Sequence, residues 1–315
     1  MENTLNGLII KGVGGLYSVK ITDPDSPLAG RVVSCRARGS FRHNNMTPLP
    51  GDRVLLLSDT EGEGQTEGGY VIHRINDRKN SLIRPPLANL DYIFVTMAAA
   101  HPTPILTTVD KLTAIAEFNK IEPIIVITKS DLSQSDAERI GEIYSRAGFR
   151  VFTVSSVTSE GVEDIKRFIL ENMNNSIAAF AGASGIGKST LMNGIFPNLA
   201  LSTSEISRKI ERGRHTTRQV ELFPISEEAD CGYIADTPGF SMLDFERFNF
   251  FDIDDLPLTF REFLPLIGQC RYTKCSHTKE EGCAIVEAVR SGDIPKSRHE
   301  SFLELYATLK AKKKW

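Results

Sequence analysis

No stretch of this sequence approaches the roughly 18 consecutive apolar residues that a membrane-spanning helix requires. That argues against a helical membrane protein, and no membrane partner is expected. The opening Met1-Glu2-Asn3-Thr4 has neither the basic residues nor the apolar core of a secretory leader, so a cytoplasmic location is expected. Cysteine is scarce, five in 315 residues, and its spacing is not that of a disulfide framework: three of the five crowd between Cys270 and Cys283 beside a histidine. An excess of charge of one sign is also missing. The net charge of −3 argues against a uniformly basic polyanion binder. The near-neutral total hides a pattern, because residues 1–85 carry 11 Lys and Arg against 9 Asp and Glu, 86–255 carry 15 against 24, and 256–315 carry 11 against 7. Contacts to a polyanion would fall on the outer segments. Internal repeats are absent, nothing points to an obligate dimer, and a monomer is expected.

Two kinds of strand are present. Up to about residue 85, Gly7–Lys11, Leu16–Ile21, Arg31–Cys35, Arg53–Leu57 and Tyr70–Ile75 alternate with the turn signals Gly14-Gly15, Asp23-Pro24, Pro50-Gly51 and Gly68-Gly69. Five strands in this length predict a small barrel, such as an OB-fold. Arg36, Arg38, Phe41 and Arg42 mix cations with an aromatic ring, as surfaces for single-stranded RNA do; a solvated edge strand would read the same way. From Asp91 the runs become continuously apolar: Tyr92–Met97, Pro123–Ile127, Val151–Val154, Ile177–Phe180 and Tyr233–Ala235. Such runs belong to sheets covered on both faces. Helical stripes separate the first four, namely Val109, Leu112, Ile115 and Ala116, then Ala137, Ile140, Ile143, Tyr144 and Ala147, then Val162, Ile165, Phe168 and Ile169. Strand alternating with helix predicts a mostly parallel sheet. Past residue 255 the pattern predicts two short helices, the second starting at Pro295 and burying Phe302, Leu305 and Leu309.

Gly182-Ala183-Ser184-Gly185-Ile186-Gly187-Lys188-Ser189 fits the phosphate-binding pattern G-x-x-x-x-G-K-[ST] at every fixed position. It follows an apolar strand and opens a helical stretch from Thr190 to Ile195, the context that pattern needs. Glycines let backbone N–H groups converge on phosphate oxygens, and the helix N-terminus adds its positive dipole end. Lys188 is expected to reach the β- and γ-phosphates, and the Ser189 hydroxyl to ligate Mg²⁺. The choice of base falls to Thr128-Lys129-Ser130-Asp131, directly after a strand. Its carboxylate can accept the N1–H and the exocyclic amino hydrogens of guanine, donors that adenine does not present in that arrangement. Losing such a charged hydrogen bond costs on the order of 1.5–3 kcal/mol, enough for about ten- to hundredfold selectivity. Ser155 and Ser156 are expected to back the guanine O6. Asp236-Thr237-Pro238-Gly239 fits D-x-x-G, with Asp236 holding Mg²⁺ through water and the Gly239 N–H sensing the γ-phosphate. Between them, Gly213-Arg214-His215-Thr216-Thr217 is a candidate switch whose threonine completes the Mg²⁺ shell; Thr216 and Thr217 both qualify, with Thr217 preferred. Many GTPases place a water-orienting Gln after the D-x-x-G glycine, where this chain has Phe240. His215 is the nearest candidate for that task, and contact with RNA is the alternative reading of it.

In ordinary GTPases the phosphate loop comes first and the base-reading motif fourth. Here residues 128–131 and 155–156 precede the phosphate loop and D-x-x-G follows it. Such a permutation preserves the site if the former termini lie close together. Downstream, Cys270, Cys275, His277 and Cys283 supply four soft or borderline ligands in fourteen residues, a set suited to tetrahedral Zn²⁺ with no open position, hence structural. Core cysteines that never meet, or a redox pair, are the alternatives. Cys35 and Cys231 are isolated and read as buried small residues.

With the permuted motif order and the Cys₃His spacing, the chain closely resembles the ribosome-small-subunit-dependent GTPase A family, nearly end to end. The resemblance implies a barrel that binds RNA over 1–85, a circularly permuted GTPase domain over 86–255 and a zinc-binding helical module over 256–315. It implies GTP and GDP as ligands, with the small ribosomal subunit and its 16S rRNA as partners. It also implies action in late subunit maturation, with hydrolysis stimulated by the subunit and driving release. Thr128 stands where the family usually has Asn, and Arg218 where a third Thr often follows.

Overall fold

In the computed structural model of the chain, residues 4–39, 41, 46–58, 69–83, 85–197, 220–226, 228, 231–236 and 251–312 are described. The alternating pattern of the N-terminal segment becomes a closed sheet. Strands β1 (Thr4–Val13), β2 (Leu16–Ile21), β3 (Val32–Ala37), β4 (Arg53–Ser58) and β5 (Tyr70–Ile75) are ordered β1-β2-β3-β5-β4, and β4 pairs back onto β1. Only β3 and β5 run parallel; the other pairs are antiparallel. Along β2, Tyr17, Val19 and Ile21 point inward, one residue in two, where they meet Leu5, Ile9, Cys35, Val54, Leu56 and Ile72. This is an OB-like barrel, and closure leaves it no open edge in these five strands. Burial pushes the Cys35 thiol up to about 12, so it packs as a small apolar group.

Beyond the barrel, Arg78 forks onto Asp52 with both contacts at 2.7 Å, and Asn89 bonds to Lys79 N and Gly51 O. A short hairpin of two-residue strands, β6 (Ser81–Leu82) and β7 (Leu87–Ala88), completes this segment. Strands β8 (Tyr92–Ala98), β9 (Glu122–Thr128) and β10 (Arg150–Thr153) are parallel neighbours, as their apolar runs require. Their connections are the helices α1 (Leu106–Phe118) and α2 (Gln134–Arg146); α3 (Val162–Asn172) follows β10. Ser133 caps α2 by accepting from Asp136 N and donating to the Asp136 carboxylate. Strand β11 (Ile177–Ala181) leads to α4 (Lys188–Ile195). Strand β13 (Tyr233–Asp236) runs parallel to β11, pairing Ala179 with Ala235, while the antiparallel β12 (Glu221–Pro224) joins β13 to β1 of the barrel. β12 does not stand out in the sequence because Glu221-Leu222-Phe223-Pro224 has only two apolar residues between a charge and a proline, and so no continuous apolar run.

The C-terminal segment has two 3₁₀ turns at Leu256–Thr259 and Arg261–Leu266, then α5 (Ala284–Ser291) and α6 (Lys296–Lys312). The expectation of two short helices is corrected here: α6 runs 17 residues. Its stripe continues back from Phe302 to Arg298, which is fully buried against α1. The C-terminal core joins Phe260, Phe263, Ile285, Ile294, Phe302 and Leu305 to Ala114 of α1. Chain contacts group the described residues into two compact units, one within 1–91, 170–179 and 206–240 and the other within 92–169, 180–205 and 241–315.

Candidate nucleotide site and metal centre

Where β9 ends, Lys129 adopts a left-handed conformation (φ 56°) and the chain enters a single 3₁₀ turn over Ser130–Leu132. A non-glycine residue holds that conformation when its surroundings fix it, and here they do. The Lys129 ammonium donates to Gly185 O at 2.8 Å and to His101 O at 2.6 Å. The preceding Thr128 is 2% exposed, and its hydroxyl donates to Ile186 O, with Met97 O at 3.1 Å. Two consecutive side chains therefore tie the Thr128–Asp131 motif to a loop 56 and 58 residues further along. The strand–turn arrangement brings together the two motifs that the sequence separates.

The loop itself is set by its glycines. At Gly182 (φ 149°) an added Cβ would lie 2.2 Å from Thr96 O, so nothing larger fits against β8. Gly187 (φ 96°) turns the chain into α4. Ile186 is buried and anchors the loop, leaving Ala183, Ser184, Gly185, Ser189 and Thr190 outward. The Lys188 ammonium donates to Gly182 O at 2.6 Å and Ala183 O at 2.8 Å, and burial lowers its pKa. A cation held on the carbonyls of a glycine-rich loop at a helix N-terminus suits a polyphosphate.

Asp131 is exposed, and one of its carboxylate oxygens accepts the Ser155 hydroxyl at 2.6 Å. Ser155 is fully buried and also accepts from Val157 N at 3.3 Å and Thr158 N at 3.2 Å. The hydroxyl thus orients the carboxylate; Ser156 beside it is half-buried. Asp236 closes β13, and its side chain lies outside the described residues, as do His215, Thr216, Thr217, Gly239 and Phe240. The Lys129–His101 contact is absent from any sequence pattern because its acceptor is a backbone carbonyl.

The second constellation is Cys270, Cys275, His277 and Cys283, whose ligand atoms all lie within 4.8 Å of one another. Cys270 Sγ and Cys283 Sγ are 3.8 Å apart, and His277 Nδ1 is 3.6 Å from each. Tetrahedral zinc, with bonds of about 2.3 Å to sulfur and 2.0–2.1 Å to nitrogen, requires separations of about 3.8 and 3.6 Å. Cys270, Cys283 and His277 meet those separations, with Cys275 within 4.8 Å of them, and the donor set fits such a metal in chemistry.

Comparison with known proteins agrees with this geometry. The family model described as RsgA GTPase matches residues 75–246, and the RsgA N-terminal domain model matches residues 6–65. A Bacillus pumilus protein named small ribosomal subunit biogenesis GTPase RsgA is 40% identical over 312 residues, covering 98% of each chain. Its namesake from Ruminiclostridium cellulolyticum is 39% identical, over 96% of this chain and 93% of the other. Among solved structures, YjeQ from Thermotoga maritima superposes with a TM-score of 0.77 at 29% identity, over 97% of this chain and 98% of its own. YloQ, described as a circularly permuted GTPase, gives 0.75 at 32% identity, over 98% and 96%. Matched along nearly its whole length, with its motifs in permuted order, the chain belongs to the RsgA GTPase family.

Proposed function

We propose that this GTPase binds the small ribosomal subunit during its late maturation, hydrolyses GTP faster in contact with it, and departs once hydrolysis is complete. The observation that carries the reading is the match over 98% of both chains to a relative named for small ribosomal subunit biogenesis. The proposed division of labour places RNA contact in 1–85, nucleotide chemistry in 86–255 and a metal-bearing module in 256–315. The proposed location is the cytoplasm and the proposed state a monomer; among the described residues no helix is long and apolar enough to cross a membrane.

In this reading Gly182–Thr190 cradle the phosphates, with Lys188 drawn from its loop carbonyls onto the β- and γ-oxygens. Asp131, oriented by Ser155, reads guanine, with Lys129 along the base and Ser156 near its O6. Ser189, Asp236 and Thr217 offer only oxygen donors, the set that suits Mg²⁺, and would hold it; the ion would neutralise phosphate charge. The Gly239 N–H senses the γ-phosphate. His215 orients the attacking water, a task Phe240 cannot perform. Cys270, Cys275, His277 and Cys283 would hold structural Zn²⁺, which fixes their loop and leaves no open position for chemistry.

Co-sedimentation with purified small subunits tests the cycle. Protein loaded with a non-hydrolysable GTP analogue is expected in the pellet and GDP-loaded protein in the supernatant; equal pelleting in both states contradicts release by hydrolysis. His215→Ala should keep subunit binding while stimulated turnover falls roughly a hundredfold or more. Full turnover with weakened binding would instead make His215 an RNA contact.

A further inference from the structure

His299 lies on α6, four residues into the helix, and is 7% exposed. Its Nε2 is 2.8 Å from the backbone oxygen of His277, a member of the Cys₃His set. A carbonyl oxygen can only accept, so Nε2 carries the proton and donates. His277 is itself left-handed, with φ 58°. That conformation is uncommon for a residue with a Cβ and persists where neighbours enforce it. It sets the imidazole so that Nδ1 faces the sulfurs of Cys270 and Cys283. The far side of the same loop is held by Glu280, whose carboxylate accepts from Ser276 N at 2.9 Å, Thr278 N at 3.0 Å, Lys279 N at 3.1 Å and the Ser276 hydroxyl.

The donor ring is fixed in turn. His299 stacks on Phe302, centroids 6.0 Å apart and planes at 14°, with Phe263 6.3 Å away. The preceding residue, Arg298, has no exposed side-chain surface. It bonds to Asp110 of α1 at 2.5 Å and to Glu262 at 2.6 Å, and Tyr144 donates to the same Asp110 oxygen at 2.8 Å. Burial opposes the Arg298 charge, but Asp110 and Glu262 outweigh it and hold the guanidinium protonated. One turn of α6 thus carries a fixing point to α1 and, at the next residue, a hydrogen bond to the ligand loop.

We propose that His299 is a positioning residue of the metal centre. It pins the His277 backbone so that Nδ1 faces the sulfurs, and Arg298 keeps it in place by anchoring α6 to α1. His299 is not a ligand. The arrangement is the outer-shell support that metal-binding histidines commonly receive, applied here to the backbone rather than to the second ring nitrogen. It rests on reading the Cys₃His set as a metal centre.

The test measures zinc affinity of the full chain by competition with a chromogenic chelator, and the absorption spectrum of the cobalt-substituted protein. His299→Phe keeps a stacking ring and removes the donor; His299→Gln restores a side-chain N–H. Expected results are one zinc in the unaltered chain, affinity lower by roughly tenfold or more in His299→Phe, and partial rescue in His299→Gln. All three should keep a Cys₃His cobalt spectrum. Unaltered affinity in His299→Phe overturns the proposal. Asp110→Asn, on α1 and outside the ligand loop, is expected to weaken zinc binding in the same direction, and normal affinity there overturns the anchoring through Arg298. Should His299→Phe fail to fold by circular dichroism, His299→Leu takes its place as the variant without a donor, and unaltered zinc affinity there overturns the proposal. An unaltered chain that retains no zinc would sink the metal-centre reading itself, a result distinct from the others.

Discussion

In the role proposed for Asp131, a carboxylate must face the Watson–Crick edge of guanine at a defined angle, and the structure holds one of its oxygens on the buried Ser155 hydroxyl. Orientation is therefore supplied by the protein and not left to the ligand, which reduces the ordering cost of binding. Asp131→Asn puts an amide where the guanine donors would arrive. GTP affinity is expected to fall about ten- to hundredfold, while xanthosine triphosphate, which presents a carbonyl in place of the exocyclic amine, binds more tightly than GTP. Calorimetric titration with both nucleotides checks this; unchanged GTP affinity would remove Asp131 from base reading. The tetrapeptide 128–131 was legible because fixed chemistry follows an apolar strand at fixed spacing. The Ser155 contact was not, since a hydroxyl has many partners and only the packing of two loops selects one. Arg298 did leave a mark in the sequence: it falls four residues before Phe302, a charge at a core position of the stripe. Its partners Asp110 and Glu262 lie 188 and 36 residues away and could not be paired with it by inspection.

At the scale of elements, the phosphate loop is held between a strand and a helix by close backbone approach. Gly182 sits so near Thr96 O that a methyl group must displace either the loop or β8, and its φ of 149° is costly for any side chain. Gly182→Ala is expected to lower the melting temperature and to abolish most of the further stabilisation that GTP confers, read by thermal melts with and without nucleotide. A variant that melts normally and gains as much from GTP as the unaltered chain contradicts this account of the loop. The parallel strands were legible from their apolar runs, and the barrel from alternation punctuated by Gly and Pro. Boundaries moved by a few residues because hydrogen-bonded pairing, not composition, decides where a strand stops. β12 was missed, yet it matters. It pairs with β1 just past a register shift between Ile9 and Lys11, where Lys11 meets Glu221 at 2.5 Å. That contact depends on residues 210 positions apart.

At the scale of the whole molecule, the permuted order changes what each motif leads into. In the unpermuted arrangement the γ-phosphate-sensing motif is followed by the rest of the GTPase domain. Here the chain passes from Gly239 to the Cys/His module, whose first cysteine is Cys270. That module is fixed to α1 by Arg298 with Asp110 and by Arg261 with Glu117, and to the start of β9 by Arg261 with Glu122 at 2.6 Å. The Arg298–Asp110 pair is fully buried, and breaking such a pair from one side is strongly destabilising, which favours a module that moves with α1 as one body. The acidic middle and mildly basic flanks agree with nucleic-acid contact on the outer segments, as proposed. The central claim, a guanine-specific hydrolase switched on by the small ribosomal subunit, is tested most directly by phosphate release from GTP and from ATP, each with and without purified small subunits. The account predicts release from GTP alone, rising by roughly an order of magnitude or more when subunits are added. GTP turnover that stays flat with subunits would contradict the switch, and a preference for ATP would contradict the reading of Thr128–Asp131.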